Sequence, residues 1–363
     1  MSLQNQGGTF LSNLIVRPDF QAYTAERIFE QSKWIQSGIV QRNGALDARA
    51  GGTRVRVPGF DPINPTEEQI KSSNDWGTSG AGYLTPQALS TDEQIMTILH
   101  RGFSYGVDDL SKLGTGVSDP LAHVRDQLSA AINKKKTATL LAQLGGIFGG
   151  ISAGGILGAN TYNATGTTTA TSANYLTAAN VVKVKQVLGE RSTELTTIAM
   201  HSAVAAYLEE TGYLQVQSAG GSVYAGGGVG AGLGAGLVGR FAGLNVIVDD
   251  QLAVITGGTA THLNKYPVYV FGSGVIGEGI QQDLAVNYDR NLASFQDMLY
   301  VDYHMGYHVA GTRWAAAGDN PTNAATTGNL GATGSWALAY TNAKNIPLAR
   351  LLVNTPYDTG VYA

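Results

Sequence analysis

Two segments with strand periodicity, GGTRVRVPGF at 51–60 and EQIMTILHRGFSYGVDDL at 93–110, are separated by about thirty mostly polar residues. In the first, Val55 and Val57 alternate with Arg54 and Arg56, and Pro58 and Gly59 close the run. In the second, Ile95, Thr97 and Leu99 carry the same alternation. The stretch between them, 61–90, is rich in Pro, Gly, Asn and Ser and has few apolar side chains to bury. A compact domain rarely contains so long a loop without a use for it. The pattern predicts an extended two-stranded loop that reaches away from the rest of the chain.

The remaining segments supply a body for that loop. Residues 1–18 read as an extended arm ending at Pro18, and a helix is expected from Asp19 to Gly38, with Phe20, Tyr23, Ile28, Phe29 and Ile35 on its apolar side. Ser118-Asp119-Pro120 is a helix start, a cap followed by Pro at the first position. The helix is expected over 119–144, stopping at Gly145-Gly146, with Leu121, Val124, Leu128, Ile132 and Leu141 apolar. At that length it spans roughly 37 Å. A Gly, Thr and Ala loop over 145–172 leads to an α/β block: TAANVVKVKQVLG as helix, LTTIAM as strand and SAVAAYLEETG as helix with Ser202 as cap and Gly212 just past its end. GRFAGLNVIVDD holds a strand at 244–248, KYPVYVFG another, and 298–315 a long strand-like run; IPLARLLV is the closing strand. Residues 220–239 contain ten glycines and read as a loop.

Composition excludes several classes. The chain has 363 residues, 43% apolar but only 14% charged, a low charge that fits surfaces covered by neighbours or rich in uncharged polar residues. Net charge is −4, and the first 136 residues hold 14 basic and 14 acidic side chains, so there is no basic domain to read a nucleic-acid sequence. Cysteine is absent, which removes disulfides, thiolate nucleophiles and Cys-dependent zinc sites. The first twenty residues lack the basic and apolar regions of a signal peptide, and no apolar run approaches membrane-spanning length.

Four motifs invite a chemical reading. Gly272-x-Gly274-x-x-Gly277 follows a strand, as in dinucleotide-binding turns, but EGIQQDLAVNYDRN after it has no helical stripe, and the pyrophosphate site needs a helix N-terminus. Gly234-x-Gly236-x-x-Gly239 has no strand before it, and with 48 glycines such matches arise by chance. Gly150-x-Ser152-x-Gly154 matches a nucleophile elbow but lies between a helix end and a Thr-rich loop, with nothing to position His201 or His262 against it. His304 and His308 sit in a strand pattern with no Glu between them and no third ligand evident, so they read as ordinary strand histidines. No cofactor, metal or catalytic residue is assigned. Lys134-Lys135-Lys136 reads as a solvated helix face or as a contact to phosphate or to a neighbour's acids.

The order of these segments resembles the major capsid protein of a tailed bacteriophage, with the Hong Kong 97-type fold. GGTRVRVPGF and EQIMTILHRGFSYGVDDL are similar to the strands of that fold's extended loop, and helix 119–144 to its spine helix. MHSAVAAYL and GLNVIVDD are the most family-like phrases, and NIPLARLLV is similar to the return of the chain into the peripheral domain's sheet. The resemblance implies an α+β fold with an arm and first helix (1–50), an extended loop (51–110), a peripheral domain (111–172 and 291–363) and an axial domain with a mixed sheet flanked by helices (173–290). It implies a non-enzymatic protein that forms pentamers and hexamers in an icosahedral shell around double-stranded DNA, assembled in bacterial cytoplasm and ending in the virion. Expected partners are its own copies, a portal protein, a scaffolding or cement protein, and DNA contacted nonspecifically. Assembly candidates are Arg54 and Arg56 on the loop, Lys134, Lys135 and Lys136 on the helix, and Asp249 and Asp250 after the axial strand. The alternatives are an α/β enzyme, serine hydrolase or dinucleotide-binding, and a bacterial nanocompartment subunit with the same shell fold. The Lys–Asn cross-link of some relatives matches no residue here.

Overall fold

The computed structural model describes residues 34, 37–47, 53–60, 90–110, 120–149, 154–166, 170–216, 239–256, 263–315 and 325–358. The expected arm, most of the first helix, the middle of the extended loop, Gly150, Ser152 and nearly all of the Gly-rich window lie outside these residues. What is described is a mixed α+β protein with three sheets.

The loop's two strands pair as expected. β2 (Arg54–Phe60) runs antiparallel to β3 (Thr91–Thr97), from Arg54 opposite Thr97 to Phe60 opposite Thr91. With β13 (Thr312–Trp314) and β14 (Trp336–Leu338) they form a four-stranded sheet in the order β14-β13-β3-β2. The alternating run after Glu93, however, is two strands rather than one. It breaks at Ile98, which is buried and donates its N–H to the Thr53 carbonyl at 2.8 Å. Beyond that break, β4 (Leu99–Asp108) joins a second sheet, in the order β1 (Val40–Arg42), β11 (Ile276–Asn291), β12 (Gln296–Val309), β4.

The long helix α1 (Pro120–Phe148) packs on this second sheet: Leu121, Leu128 and Ile132 share a core with Leu299, Val301 and Tyr303 of β12. α1 does not stop at Gly145-Gly146 but continues to Phe148, and Gly149 at φ +71° ends it. Gly146 is inside because another segment needs its bare surface. A Cβ there would lie 2.2 Å from the Leu330 carbonyl oxygen and 2.8 Å from Trp336 Nε1, which donates to that same carbonyl. The glycine is a packing residue, not a terminator.

The third sheet has seven strands, in the order β5 (Thr161–Asn163), β15 (Leu348–Val353), β10 (Tyr266–Gly272), β6 (Leu195–Met200), β9 (Leu244–Val248), β8 (Gly239–Phe241), β7 (Gln215–Val216). On one face lie α2 (Ala178–Val187) and α3 (Ser202–Glu210), packing Val181, Val184, Val204 and Leu208 against Val268, Val270, Leu351 and Val353. The opposite face gives Tyr269, Phe271 and Leu348 to the core around α1. Every residue of β10 and β15 is buried, which is why their sequences, Arg350 of β15 apart, are apolar runs instead of alternations. The cap of α3 is His201, not Ser202: its Nδ1 accepts from the Ala203 N–H at 3.1 Å. Gly212, at φ +70°, takes the position expected for it past the helix end.

This topology cuts the chain differently from the expected segments. The closing strand β15 does not return to the sheet under α1; it lies between β5 and β10 of the seven-stranded sheet. β5, from a stretch expected to be loop, is its parallel neighbour. β11, expected in the axial block up to residue 290, belongs to the sheet under α1. A buried cation joins β15 to the end of α1. Arg350 of β15, 1% exposed, donates to the Phe148 carbonyl at 3.3 Å and has its guanidinium carbon 5.0 Å from the Phe148 ring centroid. It therefore meets the unpaired carbonyl end of α1, where a positive charge is favourable. Burial lowers the pKa of Arg350 and raises that of its cross-strand partner Tyr269.

Candidate assembly interface

The β11–β12 hairpin is longer than the body needs. β11 has 16 residues, but β1 pairs only with Ile276, Gly277 and Glu278. The Asn43 N–H reaches the Glu278 carbonyl at 3.1 Å, and Asp47 accepts from the Ile280 N–H at 2.9 Å, which extends the cover to residue 280. From 281 to 291 no described strand pairs with the outer edge of β11. Alternate side chains beside that edge are apolar and exposed: Leu284 (48%), Val286 and Tyr288 (56%). At the turn, Leu292 and Phe295 are exposed at 73% and 62%. Tyr105, Leu110 and Tyr300 add to the same end of the sheet. Eight of the eleven exposed large apolar residues among the described ones are gathered here. Clustered apolar exposure on this scale marks an interaction surface, and a long uncovered edge strand is an aggregation hazard unless a partner covers it.

Polar contacts tie the tip of the hairpin to the end of β4. Arg290 donates to Asp109 at 2.5 Å and to Asp297 at 3.0 Å, and the Asp109 N–H donates to the Phe295 carbonyl at 3.1 Å. The exposed side chains therefore sit on a three-strand platform of β11, β12 and β4.

The seven residues singled out in the sequence do not form one site. Arg56 is exposed and pairs with Glu93 at 3.3 Å across β2 and β3; Arg54 is half-buried on the same strand. Lys135 is exposed on α1, whereas Lys136 turns inward, 3.6 Å from Glu278 and over the Tyr303 ring; Lys134 is half-buried. Asp249 is buried, accepting from the Trp34 indole N–H and from the Gln251 N–H, so its carboxylate supports the fold. Asp250 is exposed and accepts from the Ser202 N–H at 3.2 Å. The two internal roles, of Lys136 and Asp249, have no signature in the sequence. The apolar hairpin has a faint one, since YDRNLASF places large side chains around a polar turn.

The sequence motifs find non-chemical places. Gly274, at φ +66°, makes the turn between β10 and β11, and a strand follows it where a nucleotide site would need a helix. Ser152 lies outside the described residues. His304 and His308 share β12 without approaching one another's partners: His308 is buried, its Nε2 2.8 Å from Gln94 Oε1, and burial lowers its pKa to about 4. Among the described residues no group of three or more His, Cys, Asp or Glu side chains is arranged to hold a metal, and no helix is long and apolar enough to cross a membrane.

No family model matches the chain. Its fold is that of phage capsid proteins. The capsid of Ralstonia phage GP4 is similar with a TM-score of 0.59 at 9% identity, covering 93% of this chain and 96% of that one. The capsid of cyanophage Pam1 is similar with a TM-score of 0.55 at 11% identity, covering 94% and 98%. In sequence, the chain is similar to the major capsid protein of Bacillus phage SPP1, 25% identical over 324 residues that span 87% of this chain and 90% of the relative. The resemblance to phage major capsid proteins thus holds in sequence and in fold, and these relatives are structural proteins of the virion.

Proposed function

We propose that the chain is the major capsid protein of a tailed phage, building a closed icosahedral shell around double-stranded DNA from pentamers and hexamers of itself. The observation that carries this reading is the similarity to the SPP1 major capsid protein over 87% of the chain. The uncovered apolar end of the β11–β12 hairpin supports it, because such a surface gains about 25 cal/mol per Å2 when a neighbour covers it. The protein performs no chemistry; its work is self-association, with ring-closing contacts around five- and six-fold axes. Assembly takes place in host cytoplasm, with a portal protein and a scaffolding or cement protein as further partners and only nonspecific DNA contact. The extended loop, with Arg54 and Arg56 at its base, reaches a neighbouring subunit, and Lys135 and Asp250 present charge to adjacent copies. Electron microscopy of the purified protein tests the reading: shells, tubes or capsomer rings are expected. Arg54→Glu with Arg56→Glu should leave a folded subunit that assembles poorly, and normal shells from that variant would remove the loop from the interface.

A further inference from the structure

We propose that Asn43-Gly44 is a site of spontaneous modification, at which the Asn43 side-chain amide is lost through a cyclic imide to leave aspartate or isoaspartate. This does not rest on the shell reading. It is the sole Asn-Gly pair in the 363 residues. Both residues are exposed, in the turn that leads out of β1. A Cβ on Gly44 would meet nothing within 4 Å, so neither a side chain of its own nor a neighbour crowds that side of the turn. The turn also folds the Asn43 side chain back on the main chain, its Oδ1 accepting the Ala45 N–H at 3.0 Å. That contact closes a ring over the 43–44 peptide and holds the side-chain Cγ beside the Gly44 nitrogen.

The chemistry needs water alone. The Gly44 nitrogen gives its proton to solvent base and bonds to Asn43 Cγ, an attack within one residue that needs no encounter. Negative charge collects on Oδ1, where the Ala45 N–H already donates. The bond from Cγ to Nδ2 then breaks, and Nδ2 takes a proton from water and leaves as ammonia. Water next adds to one of the two imide carbonyls. If the bond from the Gly44 nitrogen to Cγ breaks, the main chain is restored with an aspartate side chain. If its bond to the main-chain carbonyl carbon of residue 43 breaks, isoaspartate remains, with one more methylene in the backbone. The net change is amide plus water to carboxylate plus ammonium.

The fold gives the second product a consequence. The Asn43 N–H donates to the Glu278 carbonyl at 3.1 Å, and Asp47 accepts from the Ile280 N–H at 2.9 Å. Leu46, between them, is 3% exposed and packs so closely that a Cβ on Gly279 would lie 2.5 Å from its carbonyl oxygen. A longer backbone between residues 43 and 44 cannot keep both hydrogen bonds, so isoaspartate detaches Asp47 from β11 and lengthens its uncovered edge.

The test incubates purified full-length protein for weeks at neutral pH, native and, in parallel, unfolded in denaturant. Mass spectrometry follows the peptide holding residues 43 and 44, with electron-transfer fragmentation to separate isoaspartate from aspartate. The native protein is expected to lose the Asn43 amide ahead of every other Asn, and its Ile280 amide to exchange hydrogen faster as isoaspartate accumulates. Gly44→Ala should suppress the loss; Gly44 is not left-handed and its added Cβ has open space, so this variant keeps the turn. Asn43→Gln should abolish the loss altogether. A native protein that keeps the Asn43 amide while the unfolded chain loses it, or a Gly44→Ala variant that reacts as fast as the wild type, would overturn the assignment. Unchanged exchange at Ile280 in the isoaspartate form would overturn its effect on β11.

Discussion

His308 shows how one side chain ties the fold to pH. Its ring is buried at 6% exposure, with Nε2 on Gln94 Oε1, and the same oxygen accepts the Gly311 N–H at 3.0 Å. Burial disfavours the charged ring, so its pKa falls from the ordinary 6.5 to about 4. The sign follows from proton counting. Between those values the unfolded chain binds a proton that the native ring refuses, so stability is full above about pH 6.5 and declines as pH falls toward 4. The limit of that decline is about 3 kcal/mol. Denaturant midpoints measured from pH 7 to pH 4 should fall more steeply for the wild type than for His308→Gln, which keeps a donor for Gln94 without a titrating ring. Equal slopes would show that His308 is not the group responsible. Nothing around His308 in the sequence separates it from His304, four residues away on the same strand; only packing distinguishes the buried ring from the half-buried one.

At the scale of elements, the two glycines of α1 make opposite predictions. A Cβ on Gly145 meets nothing within 4 Å, so Gly145→Ala should add helix propensity and stabilise by up to about 1 kcal/mol. A Cβ on Gly146 meets the Leu330 carbonyl at 2.2 Å, backbone that cannot swing aside. Gly146→Ala should therefore destabilise by about 1–3 kcal/mol despite the same propensity gain. Thermal melts of the two variants decide it, and a stabilised Gly146→Ala would mean that the Leu330 segment shifts freely. The start of α1 was legible from Ser118-Asp119-Pro120 because capping is local chemistry. Its end was not, because the reason for Gly146 lies almost two hundred residues further along the chain.

For the whole molecule, the question is what covers the hairpin end. Tyr288 and Phe295 are exposed, and neither belongs to the buried cores, so charge there should cost the subunit little. Tyr288→Asp with Phe295→Asp is expected to give a subunit that melts near the wild-type temperature yet sediments as monomers or small oligomers where the wild type forms shells. Shells of normal yield from the double variant would move the interface elsewhere.

The sequence alone determined the local elements: the paired strands of the extended loop, the Pro-started helix, the strand at 244–248 and the helices at 178–187 and 202–210. Each follows from periodicity, caps and turns within a few residues. Their order was enough to suggest a capsid protein. Tertiary structure decided which sheet each strand joins. β15 and β10 are buried on both faces, and an apolar run of that kind carries no record of its neighbour. It also decided that Asp249 and Lys136 turn inward, that Arg350 closes a distant helix, and that apolar side chains at the hairpin stay uncovered. Those outcomes depend on residues far apart in the chain, and no local pattern encodes them.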